Sequence, residues 1–309
     1  MDYKYPTPQL LFKAICNAIR SKTGNSDVIP HQNIPDELDS IITEEEYEIA
    51  VQELSNIICG SEVKVLDSKY IPYIAGYKFY GSGLTTVNLP KCTSIGYAAF
   101  SGCTNLTTVN LPECTYIDSY AFNGCTNLTT VNLPKCTSTV DNVFHSCTGL
   151  TTVNLPECTT LGHDAFNGCT NLTTVNLPKC TSTVDNVFYC CTSLTTINLP
   201  ECTTLGHDAF ISCTNLTTVN LPKCTSIGDN VFRYCTNLTT IILDADQIVS
   251  LMGFFTFDNS AISRRTGYIY VPDNLVDSYK SDNNWSTYAN QIKPISELPS
   301  NLKEEYGYV

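Results

Sequence analysis

A cysteine recurs every 11 residues between Cys92 and Cys235, and this lattice constrains the fold more than any other feature of the chain. The cysteines belong to a 22-residue unit that is repeated seven times between Leu84 and Leu238. A fixed period of this size indicates a solenoid, because each unit is one turn that buries its apolar face only against its neighbours. The sequence therefore predicts a stack of turns rather than a compact core around one pocket.

Within one unit, apolar and polar residues alternate as they do in a β-strand. In the copy that begins at Leu106, Val109 and Leu111 flank the polar Asn110. A period of two places these apolar side chains on the inner face and Asn110 on the outer face. Pro112 ends the strand, since proline has no backbone N–H to donate. One phenylalanine per unit predicts a column of buried rings: Phe100, Phe122, Phe144, Phe166, Phe188, Phe210 and Phe232.

The cysteines predict buried thiols rather than disulfides or a metal site. Of the 17 cysteines, 14 lie on the lattice. Side chains at the same position of successive turns point in the same direction, so a disulfide between turns would be strained. Zinc ligands are typically spaced as in C-x2-C, unlike this lattice. We expect reduced thiols that pack as small apolar side chains. Cys190, next to Cys191, lies off the lattice and is the candidate for oxidation.

Composition and charge exclude several classes of function. The net charge of −13 argues against a nucleic-acid partner, whose phosphates require clustered Lys and Arg. No apolar run is long enough to span a bilayer, and the N-terminus shows no signal-peptide pattern.

The charge of the residue after each repeat proline alternates between positive and negative from one turn to the next. This predicts a ladder of opposite charges: Lys91, Glu113, Lys135, Glu157, Lys179, Glu201 and Lys223.

The chain shows no pattern typical of an enzyme. It contains no G-x-S-x-G, H-E-x-x-H or P-loop motif. His163 and His207 occupy the same position two turns apart, about 10 Å, which is too far for one shared metal ion. We therefore predict no catalytic residues, no metal and no cofactor.

Two uncharged polar columns on the outer face of the predicted strands are the candidate binding surface. They could serve as a hydrogen-bonding array for a protein or a glycan. The same pattern is also expected of a strand sequence that was simply copied by duplication, because threonine is a good strand former. The columns comprise Thr108, Thr130, Thr152, Thr174, Thr196 and Thr218, with Asn110, Asn132, Asn154, Asn176, Asn198 and Asn220.

The unit C-T-x-L-T-T-V-x-L-P-x-C-T-x-I-x-x-x-A-F-x-x resembles the BspA-type leucine-rich repeat. The resemblance implies an α/β solenoid, a right-handed stack of 22-residue turns with a parallel β-sheet on its concave face. It implies a helical N-terminal cap and a small α+β C-terminal cap. It further implies a non-enzymatic binding or adhesion protein that binds a protein or glycan on a host or cell surface. Such a protein would be extracellular or located on the cell surface. The ligand and the oligomeric state stay open.

The flanks predict three domains: a helical N-terminal module over 1–60, the solenoid over 61–246 with a degenerate first turn at 61–83, and a C-terminal capping module over 247–309. The segment 18–24, together with residues 34–36, resembles a small helical module of prophage structural proteins in Firmicutes. This suggests the alternative of a structural or receptor-binding component of a prophage tail or surface assembly, which would be virion-associated.

The C-terminal segment resembles the closing module of repeat proteins in gut Firmicutes. We expect a strand at Tyr268–Val271 and a short helix over 274–280, with Trp285 as a buried anchor. Ile242 replaces the outward asparagine of the repeat, so we expect the cap to cover it.

Overall fold

The computed structural model describes residues 64–68, 71–253 and 255–308, which form a parallel β-solenoid of about ten stacked turns with few helices. The predicted helical module over 1–60, including its prophage-like segment, lies outside the described residues. The strand at Val65–Asp67 pairs with Thr86–Asn88 of the next turn, so the stack of turns extends N-terminal to Leu84.

The described residues contain 18 short strands and two α-helices. The strands are β1 (Val65–Asp67), β2 (Tyr73–Ile74), β3 (Thr86–Asn88), β4 (Ser94–Ile95), β5 (Thr108–Asn110), β6 (Tyr116–Ile117), β7 (Thr130–Asn132), β8 (Ser138–Thr139), β9 (Thr152–Asn154), β10 (Thr174–Asn176), β11 (Thr196–Asn198), β12 (Thr204–Leu205), β13 (Thr218–Asn220), β14 (Ser226–Ile227), β15 (Thr240–Ile242), β16 (Ser250–Leu251), β17 (Tyr268–Val271) and β18 (Ile292–Pro294). The helices are α1 (Val276–Ser281) and α2 (Ser300–Tyr306), and 3-10 turns occupy Asp273–Leu275, Ser286–Tyr288 and Ile295–Glu297.

The strands form two parallel faces. The main face consists of two consecutive ladders, β1-β3-β5-β7-β9-β10 and β11-β13-β15-β17-β18. The second face consists of β2-β4-β6-β8 and β12-β14-β16, joined by single bridges from Ser138 through Thr160 and Ser182 to Thr204. Within the repeats, the paired strand residues are copies of one another in successive turns, as Thr130 and Thr152 are. The 22-residue period therefore sets the register.

A tight turn links the two strands of each unit. In one copy, the amide of Cys114 donates to the carbonyl of Leu111 at 3.2 Å across Pro112 and Glu113. Proline fits the second position of such a turn, since its fixed φ matches the required conformation. The repeat proline therefore ends one strand and also shapes the turn that follows it.

The far side of each unit is a corner that contains two left-handed residues. In one turn these are Tyr120 with φ of 61° and Gly124 with φ of 69°. Glycine adopts this conformation without strain, and asparagine and aspartate tolerate it better than other residues. The first position accordingly carries Asn142 and Asp164 in the following turns. The corner encloses the repeat phenylalanine.

The phenylalanine column is confirmed and is longer than the sequence predicted. Neighbouring rings from Phe79 to Phe257 stack with centroids 5.2–5.7 Å apart and interplanar angles of 6–14°. Offset stacking of this kind is favourable beyond the burial of the rings. At the C-terminal end, Phe257 contacts Trp285 and Tyr288. The column is thus one continuous aromatic core.

The lattice cysteines are buried free thiols, as predicted. Their thiols also donate hydrogen bonds, which the sequence reading did not predict. Cys147 Sγ donates to the carbonyl of Phe122 at 3.1 Å, and Cys136 Sγ donates to the carbonyl of Ser138 at 3.2 Å. The same two patterns recur through the stack. Cysteine therefore combines a small apolar volume with a weak donor that satisfies a buried carbonyl.

The alternating charges form separate pairs. Three of the lysines pair with the glutamate one turn before them: Lys135 with Glu113 at 2.5 Å, Lys179 with Glu157 at 2.6 Å and Lys223 with Glu201 at 2.7 Å. All six side chains are about half exposed, and such pairs stabilise a fold by roughly 0–1 kcal/mol each. They secure register and solubility more than stability.

The C-terminal segment extends the main sheet and packs on the last turns. The strand is found at Tyr268–Val271 as predicted, and the helix begins at Val276, after a 3-10 turn. Trp285 is fully buried and donates from Nε1 to the carbonyl of Val249 at 2.7 Å. Ile242 is also fully buried and packs with Leu298. Both residues are therefore part of the packing that closes this end.

The buried thiols predict a loss of stability in alkaline solution. Burial raises the pKa of Cys136 to about 11 and that of Cys180 to about 12. An unfolded thiol titrates near 8.5. The thiols of the folded state therefore stay protonated to a higher pH than those of the unfolded state. Their contribution to the free energy of unfolding is complete below about pH 8.5 and is lost as the pH rises towards 11–12. We expect the thermal midpoint in circular dichroism to be flat from pH 7 to 8 and to fall steeply between pH 9 and 11. Equal midpoints at pH 8 and 10.5 would contradict the burial of the thiols.

A second prediction concerns Cys190, whose φ is 58°. The equivalent position one turn earlier is Gly168, with φ of 74°. Replacing Cys190 by glycine relieves a left-handed side chain, and we expect the free energy of unfolding to rise by about 0.5–1 kcal/mol in denaturant titrations. The reciprocal control, Gly168→Ala, should lower it by a similar amount. An unchanged value for both variants would show that the corner conformation is not strained.

Candidate functional site

The structure places the predicted threonine and asparagine columns side by side on the outer surface of the main sheet. We call this surface the strand face, formed by the outward Thr and Asn of β5, β7, β9, β10 and β11. Both polar residues are exposed on β5, β7, β10 and β11, and both are half-buried on β9. The strand face is thus an accessible row of hydroxyls and amides without a charged group of its own.

The asparagine side chains hydrogen-bond to one another along the stack. Nδ2 of Asn154 donates to Oδ1 of Asn132 at 2.7 Å, and Nδ2 of Asn176 donates to Oδ1 of Asn154 at 2.7 Å. The row begins at the Asp67 carboxylate, which accepts from Asn88 at 2.8 Å. The bonds fall into three runs, Asn110–Asn88–Asp67, Asn176–Asn154–Asn132 and Asn220–Asn198. Inside such a run, Asn154 uses one N–H and its oxygen, and its second N–H is left for solvent or a ligand. The ladder fixes the orientation of the amides and contributes to stability.

A different set of threonines forms a second ladder. The threonine just before each strand donates its hydroxyl to a backbone carbonyl of the previous turn, as Thr151 does to Thr129 at 3.0 Å. The same contact is made by Thr85, Thr107, Thr129, Thr173, Thr217 and Thr239. Each unit has two consecutive threonines, and the sequence alone did not show that the first is structural and that only the second, in the candidate column, faces outward. The candidate hydroxyls therefore project from a rigid support.

Two of the twelve predicted binding residues are not accessible. Thr218 is 7% exposed and Asn220 is 4% exposed. In the segment after β18, Tyr308 donates its hydroxyl to Oδ1 of Asn220 at 3.1 Å. Burial raises the pKa of Tyr308, which keeps this hydroxyl protonated as a donor. The prediction that all twelve residues share one open surface is wrong for Thr218 and Asn220, because the C-terminal segment packs on this end of the sheet.

His163 and His207 take part in local contacts on a corner of the solenoid. The amide of His163 donates to Asp141 Oδ1 at 2.9 Å, and Nδ1 of His207 accepts from the amide of Asp229 at 3.0 Å. Within the described residues, no group of three or more His, Cys, Asp or Glu side chains is arranged to hold a metal ion.

None of the helices in the part of the chain that the structure describes has the length and apolarity needed to cross a membrane.

Exposed aromatic side chains lie away from the strand face, on the same corner as these histidines. Tyr77, Tyr80, Tyr97 and Tyr120 are each at least one-third exposed. The sequence reading did not assign them. The sequence did contain a sign of this cluster, because Tyr97 and Tyr120 differ from the residues at the same positions of the next repeat. The next turn has Ser119 in place of Tyr97, and Asn142 in place of Tyr120.

The repeat region matches the family model described as BspA type leucine rich repeat region in two overlapping segments, residues 72–186 and 137–263. The chain belongs to this BspA-type leucine-rich repeat family. The match covers more than half of the chain and coincides with the stacked turns. No curated protein matches the chain.

Several solved structures are similar to this BspA-type repeat protein. A leucine rich cell surface protein from Faecalibacterium prausnitzii A2-165 is 22% identical over 69% of each chain, with a TM-score of 0.51, and it supports the fold. The Treponema pallidum leucine rich repeat protein is 31% identical over 51% of this chain and 73% of its own, with a TM-score of 0.44. A leucine-rich repeat protein from Bacteroides ovatus is 21% identical over 77% and 79%, with a TM-score of 0.33.

The asparagine ladder predicts a difference between the two columns. Asn154→Ala removes two side-chain hydrogen bonds, and we expect the free energy of unfolding to fall by about 1 kcal/mol in denaturant titrations. The matched control Thr152→Ala, on the same strand, should change it by less than about 0.5 kcal/mol. Equal effects of the two substitutions would argue against the ladder as a stabilising element.

Proposed function

We propose that this protein is a non-enzymatic binding or adhesion protein, and that its strand face contacts a protein or glycan on a host or cell surface. The observation that supports this most is the accessible row of exposed and half-buried polar side chains: Thr108, Asn110, Thr130, Asn132, Thr152, Asn154, Thr174, Asn176, Thr196 and Asn198. These side chains offer the same donors and acceptors at every turn, which suits a ligand with repeated polar groups.

Preorganisation supports a binding role. The amides of the strand face are already oriented by their ladder, as in the bond from Asn110 to Asn88 at 2.6 Å. A ligand that binds to fixed side chains loses less conformational entropy than one that must first order them. The face is also uncharged, so hydrogen bonds and shape rather than long-range attraction would determine which ligands bind.

Repetition argues against catalysis. A catalytic site requires different groups that converge on one reacting atom. On the strand face, identical side chains recur at intervals of about 4.8 Å, which is the spacing of neighbouring strands. Leucine-rich repeat solenoids are typically binding scaffolds, and this arrangement fits that use.

An extracellular or cell-surface location follows from the same proposal. BspA-type repeat proteins and the similar Faecalibacterium cell surface protein support it. The narrower origin in gut Firmicutes is a further proposal. The alternative, a component of a prophage tail or surface assembly, depends on the segment 18–24, which lies outside the described residues.

The experiment is a binding screen with a variant of the strand face. The full chain is tested against immobilised matrix proteins and a glycan array, and positive ligands are measured by surface plasmon resonance. Thr152→Lys with Thr174→Lys places two long cations on the face, and we expect at least about tenfold weaker binding.

The matched control is Thr160→Lys with Ser182→Lys. It adds the same charges in the same two turns, on the second face. Binding by this control should stay within about twofold of the unmodified protein, provided that both variants keep the circular dichroism spectrum of the parent. Unchanged binding by the strand-face variant, or equal loss in both variants, would reject the strand face as the site.

A further inference from the structure

Four exposed tyrosines form an unbroken row along one corner of the solenoid. The ring centroids of Tyr80 and Tyr77 lie 6.1 Å apart, those of Tyr77 and Tyr97 lie 5.3 Å apart, and those of Tyr97 and Tyr120 lie 5.6 Å apart. The side chains are 36–61% exposed. Tyrosine is enriched at sites that dominate protein–protein binding energy. The row thus offers contiguous ring surface over three turns.

The fold itself does not require these rings. The position of Tyr97 carries Ser119 in the next turn, and that of Tyr120 carries Asn142. Tyr77 and Tyr120 have positive φ values of 59° and 61°, which favour glycine or asparagine over tyrosine. The same corner therefore forms without aromatic side chains elsewhere in the stack.

Backbone hydrogen bonds continue this corner beyond the tyrosines. The amide of Tyr77 donates to the carbonyl of Tyr97 at 2.8 Å, and the amide of Tyr120 donates to the carbonyl of Asp141 at 3.1 Å. The ladder then passes from Asn142 to His163 at 2.8 Å. The tyrosine row and the following Asp and His residues therefore lie on one continuous ridge. We call this surface the corner ridge.

The corner ridge is acidic after the tyrosines. Its carboxylates are Asp118, Asp141, Asp164, Asp185, Asp208 and Asp229. Two of these carboxylates use one oxygen in a hydrogen bond to the next turn. Asp141 Oδ1 accepts from the amide of His163 at 2.9 Å, and Asp185 Oδ1 accepts from the amide of His207 at 2.8 Å. Between Tyr77 and Tyr234, the corner segments carry one lysine and one arginine, Lys78 and Arg233, at opposite ends of the ridge. Arg264 and Arg265 follow in the next turn. The ridge combines aromatic faces with fixed negative charge.

The last turn of the ridge shows which chemistry this combination accommodates. The guanidinium of Arg233 lies 5.0 Å from the ring centroid of Tyr234 and 5.6 Å from that of Phe255. Its Nε also lies 3.6 Å from a carboxylate oxygen of Asp258. Planar guanidinium groups stack on aromatic rings and pair with carboxylates, which lysine does less well. The chain thus carries an internal example of arginine on an aromatic and acidic surface.

We propose that the corner ridge binds an arginine-rich basic segment of a protein partner. Guanidinium groups of the partner stack on Tyr77, Tyr97 and Tyr120, and neighbouring basic side chains pair with the carboxylates that follow. Anionic polymers are repelled by the same carboxylates, and a neutral glycan makes no ion pairs with them. This surface is separate from the strand face, so its test and that of the proposed function have independent outcomes.

The test uses the full chain and a fluorescein-labelled 12-residue peptide of alternating arginine and glycine, measured by fluorescence anisotropy at 50 and 300 mM NaCl. Tyr97→Ser with Tyr120→Asn installs the residues that the neighbouring turns carry, so the fold should be retained. We expect about tenfold weaker binding by this variant, and weaker binding of a lysine–glycine peptide of equal charge by the parent. The affinity of the parent should also fall at the higher salt concentration.

The matched control is Tyr268→Thr, which removes an exposed tyrosine from the main sheet, where Thr240 occupies the paired position. Its affinity for the arginine peptide should equal that of the parent. The proposal is overturned if the parent does not bind the peptide, if the double variant binds as well as the parent, or if both peptides bind equally. Loss of binding to neutral oligosaccharides alone in the double variant would identify a glycan site and would also overturn it.

Discussion

The parallel hydrogen bonds between successive turns are the constraint on which the rest of the structure depends. Each turn is too small to form a core of its own, so every apolar side chain must pack against its copy in the next turn. This explains why one phenylalanine and two cysteines recur in each unit. It also explains why substitutions at the corner are tolerated, since the backbone ladder continues through Tyr120, Asn142 and Asp164 alike.

The cysteines show how side-chain chemistry supports that stack. The corner carbonyl of Phe122 accepts two hydrogen bonds, from the amide of Cys125 at 3.2 Å and from the thiol of Cys147 at 3.1 Å. Alanine at position 147 would remove the second of these hydrogen bonds, while the bond from the amide of Cys125 would remain. The lattice is therefore a structural adaptation to the corner, and the thiols are protected from solvent by the same packing.

The repeat made most of the solenoid predictable from sequence. The period gave the parallel register, the alternation gave the inward Val and Leu, and Ile242 signalled the covering of the sheet at its C-terminal end. Exposure of the individual candidate residues was harder to predict. Asn220 has the same local sequence as the exposed Asn176, since residues 215–223 are identical to 171–179, yet it is buried where the distant Tyr308 packs on it. The tyrosine row was missed because its members occupy different positions of the unit and meet only when the turns stack.

The surface of the stack has a longer period than its core. Phe and Cys repeat in every turn, but the pairs Lys135–Glu113 and Lys179–Glu157 repeat only in every second turn. Inserting or deleting a single unit would preserve the core and place lysine beside lysine or glutamate beside glutamate. Changes in length by two units keep every ion pair intact. Surface electrostatics therefore favour a change in length by an even number of repeat units, whereas the packing of the core is the same for an even or an odd number.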